Sequence, residues 1–343
     1  MSKNNLDYPI ATPPEPGRWL AIDDDTYWLR MPLPFALAHI NLWLVRDGDG
    51  WATVDTGMRS KEAIAVWENV HEQVLGGREL TRVIVTHMHP DHVGMAGWLC
   101  ERGNSKLWMT QLEYLLCRVL VADTGKEAPT DGVEFYRAAG LDGEQVNRYK
   151  KLFGQFGRAV YWMPDSYVRM SDGDKLPVGE HTFDIVGGNG HSPEHACLFD
   201  EARNLLISGD QILPTISSNV SVWPTEPDAN PLLDWLNSCA RLRDRLPADT
   251  LVLPAHGKPF RGVRTRLTQL IDEHEKGLAD VRQACATPQR AVDLFEVLFD
   301  SRINDGNRVM ATGEAVANIN YLLATGDLML DDVRDGAHYY RAS

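Results

Sequence analysis

The sequence predicts an α/β fold, a sandwich of sheets flanked by helices, followed by a small and mainly helical domain. Three observations lead there. Short apolar runs broken by turns fill residues 19–55 and 167–207, a block with helical periodicity separates them at about 109–161, and beyond Gly262 the pattern is helix after helix. Runs of strands alternating with helices suggest sheet layers covered by helices. A chain of 343 residues exceeds one average domain. The division expected is 1–261 for the α/β unit, with 109–161 as a helical insertion, and 262–343 for the appendage.

Trp19 to Asp55 reads as strands joined by a hairpin: Phe35 to Val45, the turn Asp47-Gly48-Asp49-Gly50, then Trp51 to Val54. Arg59 to Leu75 places Ile64, Trp67, Val70, His71 and Val74 at helical spacing, and Gly76-Gly77 is a stop signal. Val83 to Thr86 is a short buried strand ending at a histidine cluster. The chain is then helical as far as about Phe156, most clearly over Gln111 to Val121 and Leu141 to Phe156. Strands return from Tyr167 to Ile207, with turns at Asp172-Gly173-Asp174 and Gly187-Gly188-Asn189-Gly190. Pro231 to Leu246 is a helix and Thr250 to Leu253 a strand. Val263 to Cys285, Pro288 to Phe299 and Thr312 to Thr325, the last closed by Gly326, are the helices of the appendage.

Lys plus Arg number 34 against 48 Asp plus Glu, a formal charge of -14 that disfavours a polyanionic or membrane-surface partner. The five cysteines are widely spaced without a Cys-x-x-Cys pair, which fits reduced thiols. Met1 to Gly17 is polar and proline-rich, and no run elsewhere has the length of a membrane span. A soluble, cytoplasmic protein is expected.

The chemistry concentrates in Thr86-His87-Met88-His89-Pro90-Asp91-His92, which packs three imidazoles and a carboxylate directly after a strand. Such a cluster serves one site only in a tight loop where strand alternation is broken, and it can serve two nearby metal ions. Three singletons also sit just after apolar runs: His191 in Gly190-His191-Ser192-Pro193, Asp210 in Ser208-Gly209-Asp210, and His256 in Pro254-Ala255-His256-Gly257. Strand-end loops are where catalytic residues are usually displayed. A histidine inside an apolar run is more often core than ligand, which covers His39, and His274 falls on a charged helix face.

This ordered set resembles the metallo-β-lactamase superfamily, over roughly residues 20 to 260. The resemblance implies an αβ/βα sandwich with two metal ions at one edge, zinc first, with iron and manganese as alternatives. It makes His87, His89 and His191 ligands of one ion, Asp91, His92 and His256 ligands of the other, and Asp210 a bridge. Asp55, in Val54-Asp55-Thr56-Gly57, and His195 resemble residues that orient ligands from behind. Paired cations make hydroxide available from water at neutral pH, and Asp91 is the residue that resembles the catalytic proton shuttle.

The implied activity is metal-dependent hydrolysis, and departures from family branches narrow it. True β-lactamases generally lack an aspartate at the Asp210 position and are exported. Diiron flavoproteins carry a glutamate at that of His89. Pro288 to Leu328 resembles the winged-helix-like appendage of a subgroup that includes an endoribonuclease, yet residues 262–335 hold 8 Lys/Arg against 13 Asp/Glu, a poor footprint for phosphate contacts. Packing on the core or mediating a homodimer is the reading favoured for this region. Tyr149, Phe153 and Phe156 follow helical spacing and are candidates to wall a substrate pocket, although such a stripe is more often ordinary packing. The expectation is a small-molecule acyl substrate, a thioester such as acyl-CoA or a glutathione thioester, or a lactone. Phosphodiester or RNA cleavage, and metal binding without turnover, are the alternatives.

Overall fold

The structure is a computed structural model and describes residues 6–34, 38–300 and 303–343. Seven strands form the first sheet in chain order: β1 (Trp19–Ala21), β2 (Thr26–Pro32), β3 (His39–Asp47), β4 (Gly50–Val54), β5 (Arg82–Ile84), β6 (Lys106–Thr110) and β7 (Val168–Met170). β1 to β4 pair antiparallel and β4 to β7 parallel. The second sheet contains β8 (Lys175–Val178), β9 (His181–Gly188), β10 (His195–Asp200), β11 (Leu205–Gly209) and β12 (Leu251–Pro254), ordered β12-β11-β10-β9-β8. Only its β11–β12 pair is parallel.

Helices α1 (Lys61–Gln73), α2 (Pro90–Val93), α3 (Ala96–Gly103), α4 (Gln111–Ala122), α5 (Thr130–Ala138) and α6 (Gly143–Leu152) lie between strands of the first half. α7 (Pro231–Arg245), α8 (Val263–Ala284), α9 (Phe295–Leu298) and α10 (Arg308–Thr325) follow, and the chain closes in a hairpin, β13 (Leu328–Arg334) and β14 (Ala337–Ala342).

The layers follow from strand alternation with both faces buried. Along β3, Trp43 and Val45 pack between the sheets with Phe183, Ile185 and Leu198. Their neighbours Leu42 and Leu44 face the other way, onto Trp67 and Val70 of α1 and Leu99 of α3. Along β11, Leu205 and Ile207 join the layer between the sheets, while Leu206 faces Trp235 of α7 and Leu267 of α8. The result is the αβ/βα sandwich, helices outside and two sheets within.

The C-terminal elements do not bury a core of their own. Val133 and Tyr136 of α5, Leu232 of α7, Leu278 of α8 and Ile319 of α10 share one apolar cluster. The α5–α6 pair also meets the C-terminal region directly, through the Val292 N–H to the Ala139 carbonyl at 3.1 Å and an Arg148–Asp305 ion pair.

Several sequence expectations need correction. Lys106–Thr110 is a strand inside the block expected to be helical. The helix expected to reach Phe156 ends at Leu152, because Phe153 is extended and Gly154 takes a φ of +70°. Pro288 to Phe299 yields a short 3₁₀ turn and the single-turn α9 rather than one helix. The β13–β14 hairpin is an addition to the expected helices, although Asp335-Gly336, both at positive φ, is the residue pair a two-residue hairpin turn selects. The predicted strand start at Phe35 lies outside the described residues. No described helix is long and apolar enough to cross a membrane.

One buried side chain ties the two sheets together at the edge where the histidines gather. Asn41, fully buried in β3, donates to the carbonyls of Pro254 and Gly257 at 2.9 Å each and accepts from the Trp28 indole at 2.8 Å. Its own N–H reaches the Ala255 carbonyl. Asn41→Ala removes the partner of the Trp28 indole N–H and of the Pro254 and Gly257 carbonyls and is expected to cost about 2–4 kcal/mol in urea unfolding; an unchanged midpoint would contradict this clasp.

Candidate metal centre

The candidate ligands stand on loops and on one short helix at one edge of the sandwich. β5 ends at Ile84, and Thr86, His87, Met88 and His89 form the connection to α2. Pro90 opens α2 at a position where its missing N–H costs nothing, with His89 as the N-cap in an extended conformation. That one turn of helix carries Asp91 and His92, and it brings the His92 ring to 4.0 Å from the His87 ring, centroid to centroid. His191 lies between β9 and β10, Asp210 directly after β11, and His256 two residues after the end of β12.

The geometry gathers these residues into two adjoining sets. His87, His89, His191 and Asp210 present ligand atoms within 4.8 Å of one another, and Asp91, His92 and His256 do the same. His87 Nε2 and His89 Nδ1 are 2.9 Å apart. Asp210 reaches both sets: Oδ2 is 3.4 Å from His191 Nε2 and 3.4 Å from His92 Nε2, and Oδ1 is 3.6 Å from His256 Nε2. Asp91 Oδ2 approaches His256 Nε2 at 3.3 Å.

Each of three rings is aimed by a bond at its far nitrogen. His92 Nδ1 donates to Asp55 Oδ2 at 2.8 Å, and Asp55 also accepts from the Thr86 N–H at 2.8 Å and the Thr86 hydroxyl. Asp55 achieves this in the left-handed region, φ 63°, a conformation that costs free energy in a residue with a side chain and clusters at functional sites. His191 Nδ1 meets the Asn219 carbonyl at 2.7 Å, and His256 Nδ1 the His39 carbonyl at 3.0 Å. His195 accepts from the Asp210 N–H at 3.1 Å, so it fixes the backbone of the shared aspartate. A side chain on Gly209 would place Cβ 2.5 Å from His195 Nε2, so only glycine permits that contact.

Electrostatics prepare the centre for cations. Burial, then the neighbouring His92 and His89 rings, holds His87 well below the usual imidazole value, and burial with His191 takes His89 down to about 3. Burial opposes charge on His92, yet Asp210, Asp55 and Asp91 outweigh it and raise that ring well above normal. His256 is raised in the same way, by Asp210 and Asp91 against burial. Burial alone would raise Asp210 and Asp91, but His92 and His256 hold both low. The carboxylates are therefore ionised and the pair His87–His89 is neutral, which is the ligating form of each.

Three buried atoms decide whether the residues fit a metal. His92 Nε2, His191 Nε2 and Asp210 Oδ1 have no hydrogen-bond partner. Buried polar atoms are nearly always partnered, and acceptors turned toward one another need a cation between them. Imidazole mixed with carboxylate suits borderline divalent ions.

Two positioning residues carry no clear mark in the sequence. Asn41 is one polar residue inside a strand. Glu113, fully buried in the first turn of α4, accepts the Met88 N–H at 2.9 Å and the Glu194 N–H at 2.8 Å, so one carboxylate holds the loops on which His87, His89 and His191 stand. Burial raises its pKa against the hydrogen bonds that favour its charge. Its only signal is a position at the N-terminal end of a helix following the cluster. His274, expected on a solvated face, instead packs edge-on against Trp235 and meets Ser217 at 3.2 Å. Tyr149, Phe153 and Phe156 do not form one wall: Tyr149 is buried against Tyr136, Phe153 packs beside that cluster, and Phe156 packs with the separate cluster under the first sheet. The break of α6 at Leu152 divides the stripe.

A two-sheet sandwich with paired His/Asp sets at one edge defines a class of metal-site α/β proteins. Residues 37–256 match the metallo-beta-lactamase superfamily, and the chain belongs to it. Residues 278–343 match the metallo-beta-lactamase-like C-terminal domain. A beta-lactamase domain protein from Burkholderia ambifaria has a crystal structure similar to this chain at TM-score 0.89 and 41% identity, covering 98% of each. The chain is also similar to the probable metallo-hydrolase YqjP of Bacillus subtilis, 25% identical over 80% of this chain and 85% of that protein. A human acyl-coenzyme A thioesterase is 22% identical over 71% of this chain and 82% of its own length.

Asp55→Ala frees the His92 ring and leaves the Thr86 N–H unpaired. It is expected to weaken divalent-metal binding by roughly 10- to 100-fold while the protein still folds, read by competition with a chromogenic chelator. Metal affinity equal to that of the parent protein would contradict the orienting role.

Proposed function

We propose that this protein is a dinuclear metallohydrolase that cleaves an acyl ester-like bond, with a thioester as first substrate and a lactone second. The observation that carries the reading is the carboxylate of Asp210 set between two groups of candidate ligands, each with one buried nitrogen, His191 Nε2 and His92 Nε2, that lacks a hydrogen-bond partner. His87, His89 and His191 would hold one ion and Asp91, His92 and His256 the other, with Asp210 shared. Zinc is the ion proposed, since it takes imidazole and carboxylate without a redox demand. Bound there, such ions supply an activated water at neutral pH and polarise the substrate's oxygen.

The chain's own residues do the rest. Asp55, Asn219 and His39 orient the rings through their far nitrogens. Asp91 turns Oδ2 toward His256 and His92, which leaves Oδ1 to take the proton of the attacking water and return it to the leaving group. A protein thiol is a poor rival nucleophile: all five cysteines are buried, and burial pushes Cys285 up to about 11 and Cys100 up to about 12. Thioester as the first choice is supported by two relatives that are thioesterases, the human acyl-coenzyme A enzyme and an atrochrysone carboxyl ACP thioesterase from Aspergillus fumigatus. The acidic balance of the chain speaks against an RNA or phosphodiester substrate.

A hydrolysis screen of metal-loaded protein against acyl-CoA thioesters, lactones, a phosphodiester and single-stranded RNA tests the proposal. Chelator-sensitive turnover of thioester is expected, falling to background in His89→Ala and Asp210→Ala together with lost metal. Turnover of RNA or phosphodiester alone would overturn the acyl assignment, and full metal content with no turnover of any substrate would favour a binding protein.

A further inference from the structure

The 20 residues from Gln211 to Asn230, between β11 and α7, contain neither helix nor strand. A long segment without internal ladders must be held from outside if it is to hold anything else. It does hold something: its Asn219 carbonyl is the partner of His191 Nδ1 at 2.7 Å, and the hydroxyl of its Ser218 donates to the Asp210 carbonyl. The carbonyl at Asn219 selects the tautomer of His191 and points Nε2 at Asp210.

The external hold comes from the C-terminal region, and above all from one face of α10. Asn219 Nδ2 donates to Glu314 Oε2 at 2.6 Å, and the Ser221 hydroxyl lies 2.6 Å from Asn219 Oδ1 and 3.1 Å from the Met310 carbonyl. The Val222 N–H reaches the Gly313 carbonyl at 3.0 Å, and Asn320 donates to the carbonyls of Pro227 and Ala229 at 2.9 Å each. Met310, Gly313, Glu314 and Asn320 recur at helical spacing, so a single stripe of α10 carries these contacts. Gly313 is part of the fit, since a Cβ there would meet the Val222 carbonyl at 2.7 Å and the Ser221 Cβ at 2.8 Å. From α8, Arg266 adds bonds to the carbonyls of Leu213 and Ile216 at 2.8 and 3.0 Å.

We infer that α10 is a working part of the metal centre: through Glu314 and Asn219 it positions the carbonyl that fixes His191, and so governs affinity for the ion His191 would hold. Glu314 is a positioning residue in this scheme. It needs only an acceptor oxygen, and burial pushes its pKa up to about 7, so its charge is not what Asn219 requires. The inference rests on the reading of His191 as a ligand.

The test is a Zn2+ titration of the full chain against a competing chelator, with unfolding of the metal-free protein measured alongside. Glu314→Gln keeps an acceptor and should match the parent. Glu314→Leu and Gly313→Ala should each weaken one of two ions roughly 10- to 100-fold and spare the other, the weakened ion being the one that His191→Ala loses. Two-site binding in the parent with unchanged affinities in Glu314→Leu and Gly313→Ala, even at lowered stability, overturns the inference alone. Equal weakening of both ions in those variants also overturns it, since that marks general loosening. A parent that binds no Zn2+ overturns the ligand reading and the inference together.

Discussion

The carboxylate of Asp210 lies within 3.6 Å of three imidazole nitrogens, and the rest of the edge is arranged to keep it there. An ionised carboxylate removed from water among rings is costly unless cations compensate it. In the metal-free protein, protons that the carboxylates draw toward His92 and His256 offset part of that cost, and they must leave before either Nε2 can ligate. They cannot supply all of it, because buried atoms of the same group still lack partners. The pair of divalent ions proposed for this edge would resolve both deficits at once.

The sandwich accounts for how such a crowded group is assembled without collapsing on itself. The ligands leave the ends of different strands and loops, so two sheets and their helices hold the rings apart from several directions. The far nitrogens of His92, His256 and His191 are tied to partners from distant parts of the chain: Asp55 from β4's end, His39 from β3, and Asn219 from the long loop under α10. Asn41 and Glu113 work one layer further out and join loops rather than rings. The centre is therefore a property of the whole fold, including its C-terminal helices.

Legibility in the sequence followed the physics of each feature. The gathering of the candidate ligands could be read because metal chemistry demands particular residue types, and three imidazoles with a carboxylate between His87 and His92 suit little besides a cation. Most strands and long helices could be read because the inner strands β3, β4, β10 and β11 are buried on both faces and α1 and α7 carry an apolar stripe. The supports could not. Glu113, Asn41 and Glu314 act on groups up to 216 residues away, and nothing local distinguishes them from ordinary surface or strand residues. The aromatic stripe from Tyr149 to Phe156 misleads for the opposite reason: its spacing is helical, but Gly154 breaks the helix and sends the rings into two separate cores.

The central claim is that Asp210 joins two cation sites built from the remaining six ligands. Anomalous diffraction from crystals grown with Zn2+, recorded at the zinc edge, addresses it directly. Two peaks roughly 3.5–4 Å apart are predicted, each about 2.0–2.2 Å from an Asp210 oxygen, one among His87, His89 and His191 and the other among Asp91, His92 and His256. A single peak, or two peaks that leave Asp210 uncoordinated, would contradict the account.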